Sequence, residues 1–189
     1  MVVSQPLDRV GILLAGGRSV RFGEDKAFYR SSAEAPTWVE KTAAVLLPLC
    51  NRVVISANHE QLTRMKQLFA NESRIQVVED LPGLTDYGPI GGLYAAITQI
   101  GTAASFLILA VDYPFMTTKI LAQLAATPNC YATTPSQSHY LIAHLPDFQR
   151  AIEPLIQRRE HRVRLLMENL ATVPLAFPPS AAFTNQNKK

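Results

Sequence analysis

A glycine-rich, basic segment near the N-terminus carries the residue types that bind anions. It follows the apolar run Val10–Leu14 and ends at a lysine. Its glycines let backbone N–H groups approach phosphate oxygens, and its cationic side chains supply charge; these residues are Gly16, Gly17, Gly23, Arg18, Arg21 and Lys26. The spacing matches neither GxxxxGK[ST] nor GxGxxG. The segment alone indicates anion binding, with a solvated turn as the alternative.

A carboxylate that could bind a metal ion follows another apolar run. Asp112 comes directly after Phe106–Val111. Mg²⁺ prefers oxygen ligands and keeps several waters while it bridges phosphates, so one protein carboxylate can suffice. A solvated or helix-capping aspartate is the alternative at this position.

The order of strand-like and helical patterns predicts the fold that positions these residues. Four short β-branched runs are typical of buried strands: Val10–Leu14, Arg52–Ser56, Ile75–Val78 and Phe106–Val111. Apolar residues at helical spacing lie between them, including Trp38, Thr42, Leu46, Leu62, Met65, Leu68 and Phe69. This alternation predicts the α/β class, as a three-layer α/β/α sandwich around a Rossmann-like, mostly parallel sheet. Ligands bind such sheets at the carboxyl ends of the strands.

The second half of the chain is less regular. Tyr131–Thr134 and Tyr140–His144 predict an antiparallel strand pair joined by a polar turn. A helical run containing Pro154 and a second amphipathic segment follow. The stretch Ala182–Thr184 predicts a final strand.

Length and composition indicate a single globular domain. The chain has 189 residues, 48% of them hydrophobic, with a formal charge of +3. We therefore expect a single domain over residues 1–189, with its core at about 8–187. Without dense Lys/Arg blocks, long apolar runs or a secretory leader pattern, we expect no nucleic-acid partner, no membrane association and a cytoplasmic location. Cys50 and Cys130 suggest reduced core thiols rather than a metal site.

The residue order of the first loop resembles a family signature. Leu14 to Lys26 resembles LAGGxSxRMGxDK of the molybdenum cofactor guanylyltransferases, with Phe22 in place of methionine. The resemblance implies that Leu14, Ala15, Gly16 and Gly17 wrap a nucleoside triphosphate. It also implies that Arg21 and Lys26 neutralise charge that develops during nucleotidyl transfer.

Other segments resemble later parts of the same family. Asp112 and Pro114 match its D-x-P motif, which implies a catalytic, Mg²⁺-binding and nucleotide-contacting role for Asp112. Asp80 matches an aspartate that contacts the nucleotide, and a second nucleotide contact is implied for Ser56, which stands where the family often has asparagine. Gly88-Pro89-Ile90-Gly91-Gly92 resembles a glycine-rich turn that opens a helix. Phe183 to Asn187 resembles F-x-N-x-N, whose asparagines, here Asn185 and Asn187, approach the metal and phosphates.

The implied reaction transfers GMP from GTP to molybdopterin and releases pyrophosphate. The stretch Leu14-Ala15-Gly16-Gly17 favours GTP over CTP, because related cytidylyltransferases resemble LAAG instead of LAGG here; one methyl group is worth about 1–3 kcal/mol in a base pocket. Alternatives are CTP, a sugar-phosphate acceptor, or a non-catalytic nucleotide-binding accessory protein. The accessory alternative is motivated by the glycine-free stretch Arg30–Pro36 and the missing family helix start beyond Asn187. The resemblance further implies a monomer or weak homo-oligomer and possible partners in molybdoenzyme maturation.

Overall fold

The computed structural model describes residues 8–17, 25–85, 87–101 and 103–186. Seven strands in these residues form one sheet: β1 (Arg9–Leu14), β2 (Arg52–Ala57), β3 (Ile75–Glu79), β4 (Ser105–Ala110), β5 (Cys130–Thr134), β6 (Gln137–Leu145) and β7 (Val173–Ala176). Six α-helices accompany them: α1 (Trp38–Leu46), α2 (His59–Leu68), α3 (Gly88–Ile100), α4 (Thr118–Ala126), α5 (Gln149–Gln157) and α6 (Val163–Asn169). Short 3₁₀ helices cover Lys26–Phe28, Leu47–Leu49 and Ala181–Phe183.

The strand order creates a crevice between two strands that are distant in sequence. The order across the sheet is β3-β2-β1-β4-β6-β5-β7, and β1 pairs in parallel with both β2 and β4. Strand β6 pairs antiparallel with β4 and with β5. The chain leaves β1 toward β2 on one side and returns to β4 on the other, so the carboxyl ends of β1 and β4 flank a topological switch point. Ligands bind α/β sheets at such points.

Helices cover both faces of the sheet. A Cβ placed on Gly11 of β1 would lie 3.6 Å from the Cβ of Leu46 in α1. Leu14, three residues further along the strand, faces Gly92 of α3 instead, with its Cδ2 atom 3.0 Å from a Cβ placed there. Because side chains alternate along a strand, α1 and α3 lie on opposite faces. The α/β fold with a mostly parallel sheet is therefore confirmed.

The central strands agree with the sequence analysis, and the last segments do not. The predicted strand Ala182–Thr184 is wrong, because Ala181–Phe183 forms a 3₁₀ helix that buries Ala182 and Phe183. The final strand is β7, which pairs in parallel with β5. Its Pro174 and its largely exposed side chains obscured the strand pattern, and proline is tolerated at such an edge.

A matched pair of valine substitutions measures how strongly the sheet centre contributes to stability. Val54 of β2 is fully buried, whereas Val173 of β7 is 53% exposed. We expect Val54→Ala to lower the free energy of unfolding by about 2–3 kcal/mol, because it removes buried methyl groups and leaves a cavity. Val173→Ala should cost less than about 0.5 kcal/mol. Urea unfolding measures both; equal losses would contradict this placement of the core.

Candidate active site

The candidate site begins where β1 ends. Backbone hydrogen bonds continue the ladder beyond Leu14, from Ala15 N to Ser56 O at 2.9 Å and from Val111 N to Leu14 O at 3.0 Å. Gly16 and Gly17 then leave the sheet, and Gly17 is exposed. Among the described residues, neither glycine N–H has an acceptor. Both amides therefore lie at the carboxyl end of β1, at the switch point.

A lysine and an aspartate meet across this crevice. Lys26, which begins a 3₁₀ helix, is only 7% exposed, and its Nζ lies 3.2 Å from Oδ1 of Asp112 just beyond β4. A buried ammonium needs a compensating anion, and Asp112 supplies one. Two predicted catalytic residues, 86 positions apart, are therefore brought together by the β1–β4 pairing. Predicted residues Arg21 and Asn187 lie outside the described residues.

Two of the residues predicted to contact the nucleotide, Ser56 and Asp80, lie on the other flank of β1. Ser56 Oγ donates a hydrogen bond to Asp80 Oδ1 at 3.3 Å. A Cβ on Gly16 would lie 3.5 Å from Asp80 Oδ2, so this carboxyl group faces the loop. Burial raises the pKa of Asp80 to about 6, against the opposing hydrogen bond from Ser56 and with a smaller contribution from Glu79. Asp80 is therefore poised to change charge slightly below neutral pH.

Helix α3 packs so closely over these strand ends that its first turn needs glycine. A Cβ on Gly92 would lie 2.7 Å from Ser56 Oγ, and one on Gly91 would lie 2.9 Å from Leu84 O. Both distances are shorter than a carbon side chain tolerates. The predicted glycine-rich helix start is thus confirmed at Gly88, and the structure shows that close packing explains two of its glycines.

The C-terminal segment returns to Asp112. Gln186 N donates a hydrogen bond to Asp112 O at 3.0 Å, and Asn185 lies close enough to the Tyr113 hydroxyl group to oppose the rise that burial causes in the pKa of Tyr113. Asn185 Oδ1 is buried without a hydrogen-bond partner in the described part of the chain. A buried carbonyl oxygen beside Asp112 is a suitable additional ligand for a hard cation. The described part of the chain contains no group of three or more His, Cys, Asp or Glu residues that could hold a metal ion.

The histidines form structural contacts. His139 is buried between Tyr113 Oη and Thr134 Oγ1, each 3.3 Å from one ring nitrogen, and burial lowers its pKa. His144 bonds to main-chain carbonyls, and burial also lowers its pKa. His161 stacks on Tyr87 with ring centroids 4.5 Å apart. Their neighbours explain all three without a general-base role.

Two polar residues at the start of α2, the N-cap Asn58 and Gln61 in its first turn, contact the first loop, and neither was predicted to belong to the site. Gln61 Nε2 bonds to Ala15 O at 3.0 Å and to both carboxylate oxygens of Asp25 at 2.9 Å. Asn58 Nδ2 bonds to Gly16 O at 3.2 Å. The pattern Asn-x-x-Gln before a helix is a capping-box signature that could have identified both residues. The apolar periodicity predicted that Leu62 faces the core, yet Leu62 is only half-buried. The preceding residue, Gln61, is 2% exposed.

Comparison with known families is consistent with this geometry. A family model described as the MobA-like NTP transferase domain matches residues 11–173. The chain belongs to the MobA-like NTP transferase family. The matched range contains the first loop, the Ser56–Asp80 pair and Asp112, whereas Asn185 lies beyond it.

Relatives of this MobA-like transferase include proteins named for molybdenum cofactor synthesis. A probable molybdenum cofactor guanylyltransferase from Chloroflexus aggregans is 35% identical over 121 residues, which are 62% of this chain and 52% of that protein. The match therefore spans about half the length of that relative.

Solved structures share the fold at lower identity. Molybdopterin-guanine dinucleotide biosynthesis protein A from Archaeoglobus fulgidus has a TM-score of 0.70 at 20% identity, covering 95% of this chain and 92% of that one. A nucleotidyl transferase from Methanothermobacter has a TM-score of 0.73 at 12% identity, covering 95% and 92%. Within the described residues, none of the helices is both long and apolar enough to cross a bilayer.

The raised pKa of Asp80 predicts a specific pH dependence of stability. An aspartate with a pKa of about 6 when folded and 3.8 as its reference value binds more protons in the folded state between these pH values. Its contribution to stability therefore falls as pH rises through this window. We expect Asp80→Asn to raise Tm at pH 8 relative to the wild type, and the difference to shrink as pH falls below about 6.

The control for this measurement is Asp8→Asn, which alters an exposed aspartate before β1. It should leave the pH profile of Tm unchanged. A constant difference in Tm between Asp80→Asn and the wild type from pH 5 to pH 8 would contradict the assigned pKa.

Proposed function

We propose that this protein transfers GMP from GTP to molybdopterin, releasing pyrophosphate, with Mg²⁺ bound at Asp112. The observation that carries the proposal is the Lys26–Asp112 pair at the switch point beside the Gly16 and Gly17 amides. Family membership and the 35% identical guanylyltransferase support it. The residues divide into a phosphate end, a metal ligand set and a base end.

The phosphate end combines fixed amides with cationic side chains. The Gly16 and Gly17 N–H groups and the Lys26 ammonium can donate to phosphate oxygens, and the family resemblance adds Arg21. When nucleotide binds, Lys26 exchanges part of its interaction with Asp112 for a phosphate oxygen. Such preorganised donors stabilise charge that develops in the transition state more than charge in the ground state.

The metal ligand set consists of oxygen atoms. Asp112 offers a carboxylate, and Asn185 offers the buried carbonyl oxygen that lacks a partner among the described residues. One carboxylate is enough for Mg²⁺ when phosphate oxygens and waters complete the shell. The bound ion would neutralise charge on the α-phosphate and on the leaving pyrophosphate. The backbone bond from Gln186 N to Asp112 O brings the C-terminal segment with Asn185 to the end of β4.

The base end favours guanine through its carboxylate. Ionised Asp80 only accepts hydrogen bonds, and guanine presents adjacent N1–H and N2–H donors that one carboxylate can bind together. Cytosine offers an acceptor at the corresponding ring nitrogen, which would face Asp80 unfavourably. Ser56 fixes the carboxyl group through its 3.3 Å hydrogen bond. This preference adds to that expected from the stretch Leu14-Ala15-Gly16-Gly17.

The reaction needs positioning rather than a strong base. A terminal phosphate oxygen of molybdopterin forms a bond to the α-phosphorus of GTP while the bond from that phosphorus to the bridging oxygen breaks. Pyrophosphate leaves with the electron pair. Because the attacking phosphate is already ionised, no side chain has to remove a proton, and none of the buried histidines is required.

A nucleotide panel tests the proposal directly. We expect pyrophosphate release and a guanine dinucleotide product when GTP, Mg²⁺ and molybdopterin are all present. Omission of any one component should abolish the product. CTP and ATP should be used at least about tenfold less efficiently, because their bases lack the adjacent donors that Asp80 can accept. Pyrophosphate release is measured by a coupled assay and the dinucleotide by mass spectrometry.

The other functional hypotheses give different results in the same panel. Efficient use of CTP would overturn the base assignment, turnover with sugar phosphates would overturn the acceptor, and GTP binding without turnover would indicate an accessory protein. Gly16→Ala tests the base preference separately, because it produces the LAAG order and its Cβ would lie 3.3 Å from Asn58 N and 3.5 Å from Asp80 Oδ2. This variant should shift the GTP-to-CTP ratio toward CTP.

Substitutions of the ion pair test the two proposed catalytic roles. Asp112→Asn should abolish Mg²⁺-dependent turnover even at excess Mg²⁺, and should cost about 1–3 kcal/mol of stability because the nearly buried ammonium loses an anion. Lys26→Gln should lower kcat/KM for GTP by roughly 10²–10³-fold. The matched control Lys119→Gln, an exposed lysine of α4, should match the wild type. Wild-type kinetics in either ion-pair variant would refute its role.

A further inference from the structure

The beginning of α2 links its own N-terminus to the first loop. Asn58 Oδ1 accepts from Gln61 N at 3.0 Å, and Gln61 Oε1 accepts from Asn58 N at 3.1 Å. These two bonds form the capping box of the helix. Each side chain uses its oxygen in the cap, so each amide nitrogen remains for another partner.

This arrangement fixes the orientation of both side-chain amides. Backbone N–H groups can bond only to the oxygen of a side-chain amide, so the nitrogens of Asn58 and Gln61 must face away from the helix. They face the first loop, where Asn58 Nδ2 donates to Gly16 O and Gln61 Nε2 donates to Ala15 O. The second N–H of Gln61 donates to the Asp25 carboxylate.

Gln61 thereby joins the start of the loop to its end. Ala15 and Asp25 are ten positions apart in the sequence, and one buried amide group bonds to both. Asp25 also accepts from Ala27 N at 3.0 Å, which caps the 3₁₀ helix that begins at Lys26. The position of Lys26 relative to Asp112 therefore depends on Gln61 through Asp25.

We propose that Gln61, assisted by Asn58, is a positioning residue that sets the phosphate-binding loop and Lys26 for the nucleotide. The proposal rests on the proposed function of this site. Gln61 is 2% exposed, so it acts through Ala15 and Asp25 rather than through contact with substrate. The charge-assisted bond to Asp25 makes this link stronger than a neutral amide contact.

Gln61→Glu separates positioning from helix capping. Glutamate is a standard capping-box residue, so its oxygen preserves the bond to Asn58 N and the start of α2. It removes the N–H donors and places a second carboxylate against Asp25. We expect kcat/KM for GTP to fall by about 30–100-fold, mainly through KM, and Tm to fall as well, because the new carboxylate is buried against Asp25 and Ala15 O loses its donor.

A second variant and a matched control extend the test. Asn58→Ser keeps a good N-cap but removes the donor to Gly16 O, and should raise KM by about fivefold. Glu40→Gln makes the reverse exchange in the capping box of α1, where Glu40 accepts from Thr37 N at 2.7 Å. This control should leave KM, kcat and Tm unchanged.

Rescue provides a readout that general destabilisation would not produce. In Gln61→Glu/Asp25→Asn the donor and acceptor are exchanged, because the new amide at position 25 can donate to the new carboxylate while its oxygen still accepts from Ala27 N. We expect at least a fivefold recovery of kcat/KM over Gln61→Glu alone. Absence of recovery, or an unchanged KM in Gln61→Glu, would overturn the proposal.

Amide hydrogen exchange separates failure of this proposal from failure of the proposed function. Gln61→Glu should speed exchange in the peptides that contain Ala15–Gly17 and Ala27–Phe28, and the double variant should slow it again. This measurement needs no substrate. If the wild type transfers no GMP, the proposed function fails, and the exchange result alone decides whether Gln61 holds the loop; unchanged exchange would refute the link.

Discussion

An ammonium group that is almost entirely removed from water must have an anion beside it, and Lys26 lies against Asp112 for this reason. The pair joins the end of the first loop to the end of β4. Asp25, Gln61 and the capping box of α2 determine where Lys26 lies, and the β1–β4 pairing determines where Asp112 lies. Contacts from the first loop, α2 and β4 therefore together determine the geometry of one ion pair.

The polar groups of the site lie at the carboxyl ends of four adjacent strands and differ in charge from one side of the site to the other. Asp80 follows β3, Ser56 lies in β2, Gly16 follows β1 and Asp112 follows β4, in the same order as the strands across the sheet. At a strand spacing of about 4.8 Å, the first and last of these strands are about 14 Å apart. The carboxyl group of Asp80 lies at one end, and the Lys26 ammonium and the proposed metal-ligand oxygen of Asp112 lie at the other. This polarity matches a nucleotide with its base on β3 and its phosphates near β4.

The sequence predicted those parts of the site that depend on local pattern. Glycines after a strand and a carboxylate after another identified Gly16, Gly17 and Asp112, because the ends of parallel strands meet at one edge of a sheet. The contact between Lys26 and Asp112 was not predictable from spacing, since it needs β4 to insert beside β1. Gln61 was overlooked because a buried amide in a helix looks like a break in the apolar periodicity. Strand β7 was overlooked because Pro174 is unfavourable in most strands but acceptable at an edge.

The most direct measurement of the proposed site is a crystal structure with Mg²⁺ and a non-hydrolysable GTP analogue. We expect phosphate oxygens within hydrogen-bond distance of the Gly16 and Gly17 amides and of Lys26 Nζ, the metal on Asp112, and guanine against Asp80. A nucleotide bound elsewhere, or one bound here with its base near Asp112 and its phosphates near Asp80, would contradict the proposed site.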